Sequence, residues 1–155
     1  MLFEILIGGG IVANVQKFTR AASGHLCAHF ERGKDENGEY IRFGNQNIDV
    51  ERTSLNYNLA PDHDGGQIAF IQRRTSEVKC LNRADVNVVC SWVVTLPRDF
   101  GRGKEFFKES YRFLADRYGE NNVISAHVHK DENQPHMHFA CLIRPYTGGN
   151  SFYGR

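Results

Sequence analysis

The chain has 155 residues, 41% of them hydrophobic, so it can build one domain around a real core. Lys+Arg number 19 and Asp+Glu 18, leaving a formal charge of +1, which neither demands nor excludes a nucleic-acid partner, because a basic patch can sit on a neutral protein. No apolar run is long enough to span a bilayer, and residues 1–12 carry Glu4 and three glycines without a basic n-region, so they are not read as a signal peptide.

In chain order, residues 3–7 predict a short strand broken by Gly8-Gly9-Gly10, and residues 12–18 a second strand. Residues 21–30 predict a helix with Ser23 as its cap, and the polar, Gly-rich stretch 32–47 a loop. Residues 56–59 stop at Pro61, before a turn cluster at 62–66. Residues 67–76 predict a helix with Ile68, Ile71 and Gln72 on one side. The Val-rich stretch 86–96, ending at Pro97, reads as a strand. Phe106, Phe107, Tyr111, Leu114 and Tyr118 recur at helical spacing over 103–118, and Gly119 stops that helix. Residues 122–129 alternate as a strand, 130–135 form a loop and 136–143 a further strand. The expected fold class is α+β, an antiparallel sheet with helices packed on its faces. Trp92, Phe106, Phe107 and Phe113 are expected in the core rather than as base-stacking platforms.

The four cysteines (Cys27, Cys80, Cys90, Cys141) form no CxxC pair. Cys90 and Cys141 lie in apolar runs, which predicts buried free thiols and a cytoplasmic setting.

The run from His129 to His138 holds three histidines and two acids. On a strand, side chains two apart share a face, so His136 and His138 point one way and Met137 the other. If a hairpin sets His129 opposite His136, three imidazoles converge, with Glu132 above them and His127 as a fourth ring on that face. A sheet face that merely happens to hold hydrogen-bonded histidines is the alternative, and clustering polar rings without a ligand is costly. A divalent metal suits the set; the spacing alone leaves Zn, Mn, Co and Ni open.

The same run, His129-Lys-Asp-Glu-Asn-Gln-Pro-His-Met-His138, resembles the HxDExxPHxH motif of MobV (Pre/Mob) plasmid mobilisation relaxases, of the HUH endonuclease superfamily. His29-Phe-Glu-Arg32 resembles their HNxR motif, Leu55-Asn56-Tyr57-Asn58-Leu59 their LNY-type motif, and Gln16-Lys17 their QK pair. The resemblance implies a relaxase core of the ferredoxin-like or palm type over a single domain, residues 1–155, with residues 1–11 as an N-terminal extension and the family's C-terminal dimerisation region absent. It implies metal-dependent nicking and closing of one DNA strand at a plasmid or mobile-element transfer origin, through a covalent 5′-phosphate adduct. His29 would be the nucleophile, His129, His136 and His138 the metal ligands, Glu132 the residue tuning a ligand or His29, and Arg32 a phosphate contact. Mn²⁺ or Mg²⁺ is the cofactor expected first, with Zn²⁺, Co²⁺ and Ni²⁺ behind. The partner would be a single-stranded or hairpin origin DNA, and Asn56 and Tyr57 are candidate contacts to it.

Among other residues, Arg73, Arg74, Arg98, Arg102 and Lys104 could touch phosphates, although a solvated face accounts for most of them. Tyr57 and Tyr40 are rival nucleophiles, and His25 reads as a surface histidine. Phe30 stands where the family usually has Asn. Two other functions compete. A histidine-triad nucleotide hydrolase would need a further alternating His where Ala140 stands, and a zinc hydrolase would need an H-E-x-x-H helix that the chain lacks. A module that binds origin DNA without cutting it is the non-enzymatic alternative.

Overall fold

A computed structural model describes residues 5–7, 10–41, 47–77 and 83–143. Its strands are β1 (Ile5–Ile7), β2 (Gly10–Thr19), β3 (Tyr57–Asn58), β4 (Asn87–Thr95), β5 (Val123–His129) and β6 (His136–Leu142). Three α-helices join them: α1 (Arg20–Glu31), α2 (Gly66–Glu77) and α3 (Gly103–Tyr118). The strands form one sheet in the order β1-β2-β4-β6-β5-β3, and every pairing in it is antiparallel. The α+β expectation therefore holds. Residues 5–7, expected to belong to an extension, add an edge strand beside β2.

Period-two alternation divides the sheet into two faces. On one, Val15, Trp92, Val94, Ala126, Val128, Met137 and Phe139 pack with Phe107, Leu114 and Ala115 of α3. On the other, Val89, Ile124, Ala140 and Leu142 meet Cys27 and Phe30 of α1 and Phe70 and Ile71 of α2. Trp92 also satisfies its indole N–H, which donates to the Tyr118 hydroxyl at 3.0 Å. Cys27, Cys90 and Cys141 are buried free thiols, as expected for the last two; Cys80 lies outside the described residues.

Four details differ from the sequence expectation. The cap of α1 is Thr19, whose hydroxyl accepts from the Ala22 N–H, while the Ser23 hydroxyl donates back to the Thr19 carbonyl from inside the helix. In α2 the inward side is Gln67, Phe70 and Ile71; Ile68 and Gln72 face outward. Phe113 is 61% exposed and not a core residue, because α3 turns it away from the stripe that Phe107 and Leu114 bury. A 3-10 helix, Val50–Leu55, precedes β3, with the Asp49 carboxylate accepting from the Glu51 N–H at its start.

Candidate metal centre

The β5–β6 hairpin sets His129 directly opposite His136 and His127 opposite His138. All four lie on the α1/α2 face, beyond the apolar cluster of Ile124, Ala140 and Leu142. The ring centroids of His129, His136 and His138 stand 4.8–5.4 Å apart. His29, in the last turn of α1, brings its ring to 5.6 Å from His138 and 5.9 Å from His129. Ligand atoms of His29, His129 and His138 lie within 4.8 Å of one another, as do those of His129, Glu132 and His136. Residues a hundred positions apart thus meet at one point, because α1 packs across the sheet and ends beside the hairpin mouth.

The donor chemistry suits a cation. The Nδ1–H of His136 donates to the Gln134 carbonyl at 2.9 Å, which turns Nε2 toward the cluster. That Nε2 is 3.1 Å from Nε2 of His138 and 3.8 Å from a Glu132 oxygen. Burial, reinforced by the neighbouring rings and Arg32, holds His138 far below the usual imidazole range, so its ring is neutral at neutral pH. His129, with no exposure, is depressed to about 3, chiefly by burial. Its Nε2–H donates to the Phe30 carbonyl at 2.9 Å, and its Nδ1 accepts from Arg32 at 3.1 Å. His136 and His138 therefore present the readier donors; Glu132 already accepts from Arg32 at 2.7 Å, and His129 would ligate by exchanging one of its protein partners. Burial also lowers the pKa of His29, with Arg32 acting in the same direction, so its ring is neutral.

Several residues stand elsewhere than the sequence suggested. Arg32, read as a phosphate contact, is 5% exposed and turned inward: Nε and Nη2 donate to the two oxygens of Asp131, each at 2.9 Å, and Nη2 also donates to Glu132 at 2.7 Å. Asn56 is internal bracing, its side-chain oxygen accepting from the Lys130 N–H at 2.7 Å. Tyr57 pairs with Val128 and packs against the α3-side core, on the sheet face away from the imidazoles. Arg74 is tied to Glu77 and to Asn122, at the far end of β5, on the order of 20 Å along the strand from His129. Arg73 is exposed and stacks over Phe70, and His25 is exposed as expected. Tyr40 lies beside Lys34 in the loop after α1. His127 reaches Gln67 at 3.4 Å, and burial depresses it to about 4. Arg98, Arg102 and Lys104 are exposed on the stretch after β4, which the hairpin holds through Leu96 N–H to Pro135 O and Gln134 Nε2 to Leu96 O. These three stand at the imidazole end of the sheet, where Arg74 does not.

Sequence reasoning gave no role to Asp131, Thr53 or the Phe30 carbonyl. Asp131 stood inside the quoted motif, so a signal existed. The Thr53 contact to Asp131, 78 positions away, and the bond from His129 to a backbone carbonyl left no mark in the residue pattern.

Residues 10–151 match the sequence profile of the family described as plasmid recombination enzyme, Mob_Pre. The chain belongs to the Mob_Pre family. Among its Mob_Pre relatives, the plasmid recombination enzyme of Lactiplantibacillus plantarum is 31% identical over 119 residues, covering 71% of this chain and 33% of that protein. The type 2 enzyme of Staphylococcus aureus is 38% identical over 107 residues, covering 63% and 26%. The fold is similar to the crystal structure of the Mn-bound MobM relaxase domain with plasmid pMV158 oriT DNA, with a TM-score of 0.69 and 30% identity over 84% of this chain and 68% of that one. This Mob_Pre chain spans a third or less of the length of those two relatives. Among its described residues, no helix is long and apolar enough to cross a membrane.

Proposed function

We propose that this chain is the nicking domain of a relaxase: it cuts and rejoins one strand of DNA at the transfer origin of a plasmid or other mobile element. The observation that carries the reading is the approach of a neutral His29 ring to an imidazole cluster built from two adjacent strands. Membership of the Mob_Pre family and likeness to an oriT-bound relaxase domain support it.

In this reading His136 and His138, with His129 or Glu132, hold a divalent cation. When bound, it supplies Lewis-acid polarisation of the scissile phosphate. Mn²⁺ is the ion we assign, since the site mixes imidazole nitrogens with a carboxylate whereas Mg²⁺ favours oxygen donors. His29 attacks phosphorus with its ring lone pair: the N–P bond forms and the P–O3′ bond breaks. The leaving 3′ oxygen takes up a proton while the phosphorylated ring gives up its remaining N–H, so the charges balance. The phosphoramidate is reactive enough to be reversed by the 3′ hydroxyl, which rejoins the strand. Arg98, Arg102 and Lys104, exposed on the stretch that follows β4 at the hairpin-loop end of the sheet, and Arg73 would contact the DNA backbone. A cytoplasmic setting agrees with the buried free thiols.

Incubation with supercoiled plasmid carrying a cognate origin and Mn²⁺ tests this. Relaxed circles with protein on the 5′ end are expected, and chelation should abolish them. Origin binding with no relaxation would replace the nickase by a DNA-binding module.

A further inference from the structure

Arg32 is held in a way that a phosphate contact would not need. It follows the last turn of α1 with φ 52°, and among the described residues no other non-glycine has positive φ. The Gly33 N–H reaches back to the Ala28 carbonyl at 3.0 Å and the Arg32 N–H to that of His29 at 3.4 Å, a helix ending whose left-handed position favours glycine. An arginine kept there, with Gly33 beside it, points to a demand on its side chain.

That side chain is spent inside the protein. Nε and Nη2 form a two-pronged pair with Asp131, Nη2 also reaches Glu132 and Nδ1 of His129, and Nη1 donates to the His29 carbonyl at 3.3 Å. Asp131 has no exposure; its Oδ2 also accepts from the Thr53 hydroxyl at 2.9 Å, and its carbonyl accepts from the Asp49 N–H at 2.7 Å. One buried guanidinium and one buried carboxylate therefore join the end of α1, the 3-10 helix and the hairpin loop. The pair touches the helix end that carries His29, the ring of His129 and the carboxylate of Glu132.

We propose that Arg32 and Asp131 form a positioning brace that fixes His29, His129 and Glu132 relative to one another, and that Arg32 makes no contact with DNA. The inference rests on the nicking reading, because it assigns positioning residues within the same centre. It is a geometric role: the fork of a guanidinium locks orientation in a way that the single point charge of a lysine cannot.

The test compares wild type with Arg32→Lys, Asp131→Asn and Thr53→Val. In chelator, the affinity of a further variant, Arg32→Gln, for single-stranded origin DNA should stay within about twofold of wild type, with the same salt slope, since the charge removed makes no phosphate contact. The single-turnover rate of adduct formation should fall about 100-fold in Arg32→Lys and Asp131→Asn, as expected for misplacement of a reacting group. Mn²⁺ affinity, measured by calorimetry without DNA, should fall about 10-fold in both, the usual consequence of releasing a ligand's supporting partner. Thr53→Val changes no charge and should lie between them and wild type, so the brace is still read if Asp131→Asn does not fold. An Arg32→Lys protein with wild-type Mn²⁺ affinity, or an Arg32→Gln protein whose salt slope drops by about one counterion, overturns the brace. Wild-type protein that takes up Mn²⁺ without nicking sinks the nickase reading instead, while the Mn²⁺ comparison still decides the brace.

Discussion

On the α3 side of the sheet, Trp92, Val94, Val128, Met137 and Phe139 bury apolar surface and need little beyond fit. On the other side, the same strands β5 and β6 carry His127, His129, His136 and His138 beyond a smaller apolar cluster. The two faces alternate residue by residue: Met137 and Phe139 interleave with His136 and His138. The first face stabilises by area, at about 25 cal/mol per Å². The second must satisfy its buried polar atoms singly; those around the imidazoles are met through Phe30 O, Gln134 O, Arg32, Asp131 and Thr53, while Ser125 Oγ and Gln67 Oε1 on the same face have no hydrogen-bond partner. The difference teaches that the α3 face can supply the stability that lets the opposite face hold close-set polar groups.

Substitutions on the two faces should therefore fail in different ways. The largest effect expected is from His29→Ala, which should abolish the covalent DNA adduct while leaving Mn²⁺ uptake and melting temperature near wild type; an adduct that survives and disappears with Tyr57→Phe would move the nucleophile to the other face. Next, His138→Ala should lower Mn²⁺ affinity at least about 10-fold and nicking with it. Undiminished nicking by His136→Ala and His138→Ala in chelator would remove the metal from the mechanism. On the α3 face, Phe139→Ala should destabilise by about 3–5 kcal/mol in chemical denaturation, with Mn²⁺ affinity kept in the folded fraction. A metal defect larger than the stability defect would show that the faces are not separable. Smallest of all, Phe113→Ser should change stability by no more than about 0.5 kcal/mol, because the ring is mostly in solvent.

What could be read in the sequence follows the same division. Strands β4, β5 and β6 were legible because their alternation and composition are strong, and the hairpin supposed between β5 and β6 does set His129 opposite His136. Phe113 was misread because it lies seven residues after the half-buried Phe106, about 20° short of two full turns, which carries it past the edge of the stripe into solvent. The 3-10 helix at Val50–Leu55 has no apolar period to announce it. Histidines of the hairpin could be found from their type and spacing, and His29 only through the family resemblance. Their supports could not, since a bond between Arg32 and Asp131 spans 99 positions and depends on where α1 ends.

The β5–β6 hairpin also sets a parity rule for change in this protein. Loop residues 130–135 are anchored to β4 through Pro135 O and Gln134, and β6 is paired on both sides. A gained or lost loop residue must be taken up as slack there. Passed on to β6 as a slide of one rung along its neighbours, it would turn His136 and His138 toward α3 and bring Met137 and Phe139 round to face His29. Length variants that keep the imidazoles on their side are those that leave β6 in place or shift it by even steps.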